Sequence, residues 1–361
     1  MFSCRKEQEP QRVDCKNAQP ATSPLPQSWL FEEEVLKLSG LELHKELHVF
    51  DVTISFQGEE HKIHTYKCGD QNSEILVLVH GYGGSSLLYY PMLKKLSEKY
   101  KVYCIDLLGM GLSSRPEFKC QNTQETIDFF VESIELWREA LAIEEFCLGG
   151  HSFGGYMSVH YSVKYHDRIK KLFLLSPVGV TKHQEEVDIE EFKKKLPWLR
   201  RQIFGMVQGM WQSKTTPAEY YRKHSIIGNF LLKQYMTRQF GKEGKEEKLT
   251  KILIKYYTEI LKLEGGSDRA LYYVLRPPRM QAFEPAEDYI IEHLKMPIVC
   301  FYGDRDWMDK TGSNRIFYSR TKNFKILQVS DSGHQITMHN PEEMAQHLVS
   351  EFPIIVTVGG L

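Results

Sequence analysis

The stretch Phe146-Cys147-Leu148-Gly149-Gly150-His151-Ser152-Phe153-Gly154-Gly155 decides how this chain is read. It opens on a short apolar run, Phe146–Leu148, that reads as a strand, and it runs into a helix pattern over Gly155–Tyr165. Between them stands Gly150-His151-Ser152-Phe153-Gly154, which fits G-x-S-x-G. The strand before and the helix after raise that pattern above chance. A serine on so tight a turn takes strained backbone angles, tolerable only where flanking residues lack clashing side chains. Gly150 and Gly154 provide that room. The turn would lift the Ser152 hydroxyl clear of the sheet, at the positive end of the following helix.

Outward from this turn, strands and helices alternate. Upstream, Leu47 onward alternates apolar and polar residues, and Lys62–Lys67 follows the turn signal Gln57-Gly58, which predicts a β-hairpin. Glu74–Val79 is nearly all apolar, as a strand buried on both faces should be. Val102–Leu107 reads as a strand and Thr126–Leu141 as a helix. Downstream, Leu172–Leu175 is another strand. From about Val178 to Pro285 the alternation stops and the sequence reads mostly helical, with a polar loop at Gly241–Lys248. It then resumes with helices at Ala286–Leu294, Ser313–Arg320 and Glu342–Phe352 and strands at Ile298–Tyr302 and Lys325–Val329. The fold class is therefore α/β, a mostly parallel eight-stranded sheet with helices on both faces and a helical lid insertion. The layout expected is a loose tail over residues 1–28, a core over 29–178 and 286–361, and a cap over 179–285.

A serine hydroxyl is a weak nucleophile until a base takes its proton. His334, in the loop Asp331-Ser332-Gly333-His334-Gln335 after the last strand, is the candidate base. His339 and His347 fall on or near the terminal helix and read as solvated. The acid that orients the imidazole is sought in Gly303-Asp304-Arg305-Asp306-Trp307-Met308-Asp309, between serine and histidine in the chain. Asp306, three residues beyond the strand-ending glycine, is the choice, with Asp309 as the alternative acid. The oxyanion hole is expected from the backbone amides of Tyr82, in His80-Gly81-Tyr82-Gly83-Gly84, and of Phe153, with Gly81, Gly150 and Gly154 as turn glycines.

The bulk numbers exclude other classes. A formal net charge of −1 over 361 residues gives no global reason for a nucleic-acid partner. Gly81, Gly83 and Gly84 lack dinucleotide-site spacing, and no Walker A motif occurs. No Cys/His cluster has metal-ligand spacing, so neither metal nor organic cofactor is expected. Seven cysteines, three of them inside strand-like runs, fit a reducing, cytoplasmic setting. The first 28 residues lack a signal-peptide core, and Glu7, Glu9 and Asp14 count against a transit peptide without excluding a mitochondrial address. In the insertion, Lys193-Lys194-Lys195-Leu196-Pro197-Trp198-Leu199-Arg200-Arg201 precedes Phe204, Met206, Val207, Met210 and Trp211. Such bases beside Trp and Met suit peripheral contact with a membrane or lipid droplet, or a lid packing its apolar face on the core.

The segments His80–Gly84, Asp106-Leu107-Leu108-Gly109-Met110-Gly111-Leu112-Ser113-Ser114-Arg115-Pro116, Phe130–Arg138 and the Ser152 turn resemble the α/β-hydrolase-domain lipid enzymes. That subfamily includes N-acylphosphatidylethanolamine lipases, cardiolipin deacylases and a lipolysis co-activator. The resemblance, from about Trp29 to about Phe352, implies an acyl hydrolase of phospholipids or lysophospholipids. It puts the catalytic roles on Ser152, His334 and the Asp306 segment. Members of the subfamily often carry His-x-x-x-x-Asp from the triad histidine, linked to lysophosphatidic acid acyltransferase activity. Here the fifth position after His334 is His339, which counts against transfer from acyl-CoA. The co-activator has Asn where this chain has Ser152, so a binding-only regulator loses its main support. A hydrolase of small soluble esters or amides is the other competitor.

Overall fold

The hairpin forms as β1 (Leu47–Phe56) and β2 (Glu59–Cys68), paired antiparallel. Gln57 and Gly58 both take positive φ between them, as a two-residue turn matched to strand twist requires. The structure is a computed structural model that describes residues 27–183, 188–240, 245–277, 280–320 and 322–352. The sheet continues with β3 (Ile75–Val79), β4 (Lys101–Ile105), β5 (Phe146–His151), β6 (Ile169–Leu175), β7 (Ile298–Gly303) and β8 (Phe324–Val329). Its eight strands lie in the order β1-β2-β4-β3-β5-β6-β7-β8, parallel from β4 to β8. The antiparallel β2 joins β4 to β1. Progress across the sheet reverses at β3, with β4 on one side and β5 on the other. In open α/β sheets such a reversal opens a crevice at the strand ends where ligands bind.

β5 runs three residues past its apolar stretch because Gly149, Gly150 and His151 keep pairing with Phe173, Leu174 and Leu175. The flanking helices bury apolar stripes on both sheet faces. They include α1 (Gln27–Leu36), α2 (Thr123–Ala140) and α3 (Phe153–Lys164). Helix α2 starts three residues before its apolar pattern, because Asn122 caps it by accepting from the Glu125 amide at 2.9 Å.

Between β6 and β7 the chain forms α4 (Trp198–Gln212), α5 (Pro217–Lys223), α6 (Ser225–Phe240) and α7 (Lys245–Lys262). Lys245–Lys248, expected in a polar loop, open α7, where Glu247 and Lys251 pair one turn apart at 2.7 Å. Beyond the insertion come α8 (Ala286–His293), α9 (Thr311–Ser319) and α10 (Pro341–Ser350). Most of the segment read as a loose tail lies outside the described residues. Its last two residues do not fit that reading: Gln27 and Ser28 begin α1, and Ser28 is buried.

Helix α1 is fastened by charge. Glu32 and His64, on β2, are both buried. His64 donates to Glu32 Oε2 at 3.1 Å and to Asp51 Oδ1 at 2.9 Å. Tyr66 and, from α7, Tyr256 donate to the other Glu32 oxygen. Burial alone would lower the His64 pKa, but the charge of Glu32 and both hydrogen bonds raise it well above its ordinary value. The stabilisation is therefore fully present below about pH 6.5, the unfolded value, and is lost as pH rises through the raised folded value. Glu32→Gln, which leaves half of this buried cluster unpaired, is expected to cost about 3 kcal/mol in urea unfolding at neutral pH. An unchanged midpoint would contradict the arrangement.

Candidate active site

Ser152 sits between β5 and α3 with φ 52° and ψ −113°, a conformation that costs a non-glycine residue roughly 1–3 kcal/mol. Its own amide donates to Leu175 O at 2.9 Å, and its carbonyl accepts from Tyr156 at 3.1 Å. The two flanking glycines are close-approach positions. A Cβ on Gly154 would lie 2.4 Å from His80 O, and one on Gly150 would lie 2.4 Å from Gly154 O. A Cβ on Gly81 would lie 3.1 Å from the Ser152 Cβ, which fixes how near the His80–Gly84 turn comes.

His334 Nε2 lies 2.9 Å from Ser152 Oγ, across 182 residues of sequence. The ring's other nitrogen, Nδ1, is 3.4 Å from Asp306 Oδ1 and 2.8 Å from Ser176 Oγ. The Ser176 hydroxyl donates to Asp306 Oδ2, and the Met308 amide donates to Asp306 Oδ1 at 3.1 Å. This network gives His334 the Nδ1–H tautomer and leaves Nε2 free to accept the Ser152 proton. Burial pushes the Asp306 pKa up, but the facing His334 ring and the hydrogen bonds from Ser176 and Met308 hold it below the ordinary value. Asp309 is turned elsewhere: it accepts from the Thr311 amide at 2.9 Å and faces His183 at 3.5 Å.

Tyr82 and Phe153 line the same cavity as Ser152 and His334. Phe153 is the first residue of α3, where amides have no intrahelical acceptor. The Tyr82 turn is braced by His80, which accepts from the Leu107 amide at 3.0 Å and donates to Gly81 O at 2.7 Å. Burial lowers the His80 pKa, so it acts as a neutral bracket.

Sequence reasoning missed a second set of supports. His151 donates to His334 O at 2.8 Å, and burial together with the facing His334 ring pushes its pKa down to about 3. Asp304 accepts from the Ser332 and Asp331 amides at 2.8 and 3.0 Å and so shapes the His334 loop. His339 is not solvated as expected. Its Nδ1 accepts from the Gly333 amide at 3.0 Å and its Nε2 donates to Gln239 O of α6 at 3.1 Å. For His151 and Asp304 the only hint was a place at a strand end beside a glycine; His339, in a short helix, gave none.

The cavity beneath the insertion measures about 560 Å³. Its walls are mostly apolar, including Met110, Met206, Met210, Met236, Met280 and Met308, with Arg115 and Asp268 as the charged side chains among the described lining residues other than histidine. Among the described residues no cluster of three or more His, Cys, Asp or Glu is arranged to hold a metal, and no helix is long and apolar enough to cross a membrane.

A family model described as alpha/beta hydrolase fold matches residues 74–341. The chain belongs to the α/β-hydrolase family. The probable 1-acylglycerol-3-phosphate O-acyltransferase of Oryza sativa subsp. japonica is 30% identical over 282 residues, 75% of this chain and 65% of its own length. The chain thus spans just under two thirds of that relative. The (lyso)-N-acylphosphatidylethanolamine lipase of Homo sapiens is 26% identical over 275 residues, 74% of this chain and 75% of its own. Carboxylesterase CesB (YbfK) from Bacillus subtilis superposes with a TM-score of 0.60 at 17% identity, covering 92% of this chain and 98% of that one, a likeness of fold.

Gly154→Ala drives a methyl group into the His80 carbonyl. It is expected to destabilise the protein by about 1–3 kcal/mol or to block folding outright. Unfolding at the wild-type denaturant midpoint would refute the packing described.

Proposed function

We propose that the protein is a serine hydrolase that cleaves an acyl ester of a phospholipid or lysophospholipid. The observation that carries this reading is the 2.9 Å contact between Ser152 Oγ and His334 Nε2, at the floor of a mostly apolar 560 Å³ cavity. In the reaction, Ser152 Oγ attacks the ester carbonyl as His334 takes its proton, and Asp306 stabilises the imidazolium. The amides of Tyr82 and Phe153 receive the oxyanion, a class of contact worth about 3 kcal/mol for each donor. His334 then returns the proton to the leaving alcohol, and water, activated the same way, releases the fatty acid. The apolar walls suit an acyl chain, and Arg115 and Asp268 offer polar contacts to a glycerol or headgroup.

The outer surface of the insertion supports a membrane-borne substrate. Trp198, Ile226 and Phe230 are 71%, 86% and 61% exposed, and no described side chain of α4 is buried. Met206, Leu231 and Tyr235 are exposed and also line the cavity, so the apolar surface is continuous with the site. Trp198–Phe240 carries seven basic residues and a single acidic one, Glu219, in a chain of net charge −1. Exposed apolar side chains in a base-rich segment suit an anionic lipid surface.

Fluorophosphonate labelling and fatty-acid release from a lysophospholipid test the reaction. Ser152→Ala is expected to abolish both. Asp306→Asn should lower kcat on the order of 10⁴-fold, as loss of a tautomer-holding acid does, while Asp309→Asn stays near wild type. Absence of labelling in the wild type would leave the binding-only regulator standing. Fatty acid appearing on added 1-acylglycerol-3-phosphate rather than in water would favour acyl transfer, the activity for which the rice relative is named.

Co-sedimentation with phosphatidylcholine vesicles, with and without phosphatidylserine, tests the docking surface. The double variant Ile226→Asp/Phe230→Asp is expected to lose binding to the anionic vesicles and keep turnover of a short-chain soluble ester. Wild-type sedimentation by that variant would remove the membrane role.

A further inference from the structure

Ser176 is the first residue after β6, directly ahead of Pro177, and it is fully buried. Its amide donates to Phe301 O of β7 at 2.7 Å, which fixes its place on the sheet edge. Its φ is +50°, a region that glycine occupies without strain and serine does not. The strained residue therefore carries a side chain, and that side chain lies between two members of the candidate triad. Ser176 Oγ accepts from His334 Nδ1–H at 2.8 Å and donates its own proton to Asp306 Oδ2. The direct approach of His334 Nδ1 to Asp306 Oδ1, at 3.4 Å, is beyond good hydrogen-bond length.

We propose that Ser176 is a positioning residue that couples Asp306 to His334. The inference rests on the Ser152–His334–Asp306 reading and adds a fourth group to it. The hydroxyl has one proton and two lone pairs, so it can receive Nδ1–H and bond the carboxylate at once. No proton is relayed. The Ser176 proton stays on its oxygen and Nδ1–H stays on the ring while Nε2 gains the proton of Ser152. As the ring becomes positive, the Nδ1–H bond to Ser176 strengthens, which polarises the hydroxyl and strengthens its bond to Asp306 in turn. The carboxylate thus stabilises the imidazolium through a neutral hydroxyl. The same two bonds fix the ring plane that aims Nε2 at Ser152. Asp306 and His151 are the titratable groups facing the ring, His151 being held neutral by burial. Asp304, Asp331 with Arg305, and His339 contact its loop.

Ser176→Ala deletes the hydroxyl and keeps the positive-φ strain, whereas Ser176→Gly deletes the hydroxyl and relieves the strain. Steady-state turnover of a soluble ester, the rate of fluorophosphonate labelling and the thermal midpoint are compared in both. The expected result is a kcat and a labelling rate lowered about tenfold to a hundredfold in both variants, part of what a general base supplies, with KM within about twofold. The acid limb of the kcat/KM profile is expected to move to lower pH, because the imidazolium has lost its link to the carboxylate. Ser176→Cys, which keeps a weak donor and acceptor at the same place, should recover part of the loss. Wild-type kcat in Ser176→Ala, recovery in Ser176→Gly, or failure of both to fold would overturn the proposal. Absence of Ser152 labelling in the wild type would instead overturn the triad reading beneath it.

Discussion

A single strained residue organises this molecule. Ser152 holds φ +52° because β5 ends under it and α3 begins over it, and the two segments meet at Gly150 and Gly154 with no space for a Cβ. That closeness brings the His80–Gly84 turn up against Ser152 from β3, since Gly81 packs against His151 and Ser152 while Gly154 packs against the backbone of Val79 and His80. The reversal of strand order at β3 is what puts these two turns side by side. The unfavourable backbone energy at Ser152 is offset by the sheet around it, in which β5 is paired on both sides.

The strained turn alone would not align a base. The His334 loop is held by three buried or half-buried polar groups, His151, Ser176 and His339, and by the exposed Asp304. Each spends its hydrogen-bonding capacity on a backbone amide, a backbone carbonyl or a side chain of the candidate triad. His80 does the same for the His80–Gly84 turn, and Asp106 for its neighbours, accepting from the Ser86 amide at 2.6 Å and the Leu112 amide at 2.8 Å. Such groups confer precision because a buried donor or acceptor has few alternatives to its partner.

The sequence made the sheet legible because strands buried on both faces leave long apolar runs, as at Ile75–Val79, and because glycines mark where backbones touch. It pointed to Ser152 and His334 as candidates through loop position, and to the segment of the candidate acid but not its geometry. Asp306 and Asp309 differ only in which way their side chains turn, and short-range pattern does not encode that. Ser176 was invisible, since a serine after a strand is ordinary until Asp306 and His334 arrive from more than 100 residues away. Helix α1 was missed because half of what it buries, Ser28 and Glu32, is polar. Glu32 reads as a surface residue until His64 and Tyr256 close over it.

Half of the chain's twelve methionines face the cavity. Thioether side chains are unbranched and polarisable, and they rotate at little energetic expense. A wall built from them has no fixed mould and can close around hydrocarbon tails that differ in length or unsaturation. On the proposed lipid reading, discrimination among substrates then falls to the polar portion of the molecule rather than to its tail. The same wall is chemically exposed in another sense: conversion of these sulfurs to sulfoxides would turn a pliant apolar lining into a polar one, tying the character of the cavity to the oxidative state of its surroundings.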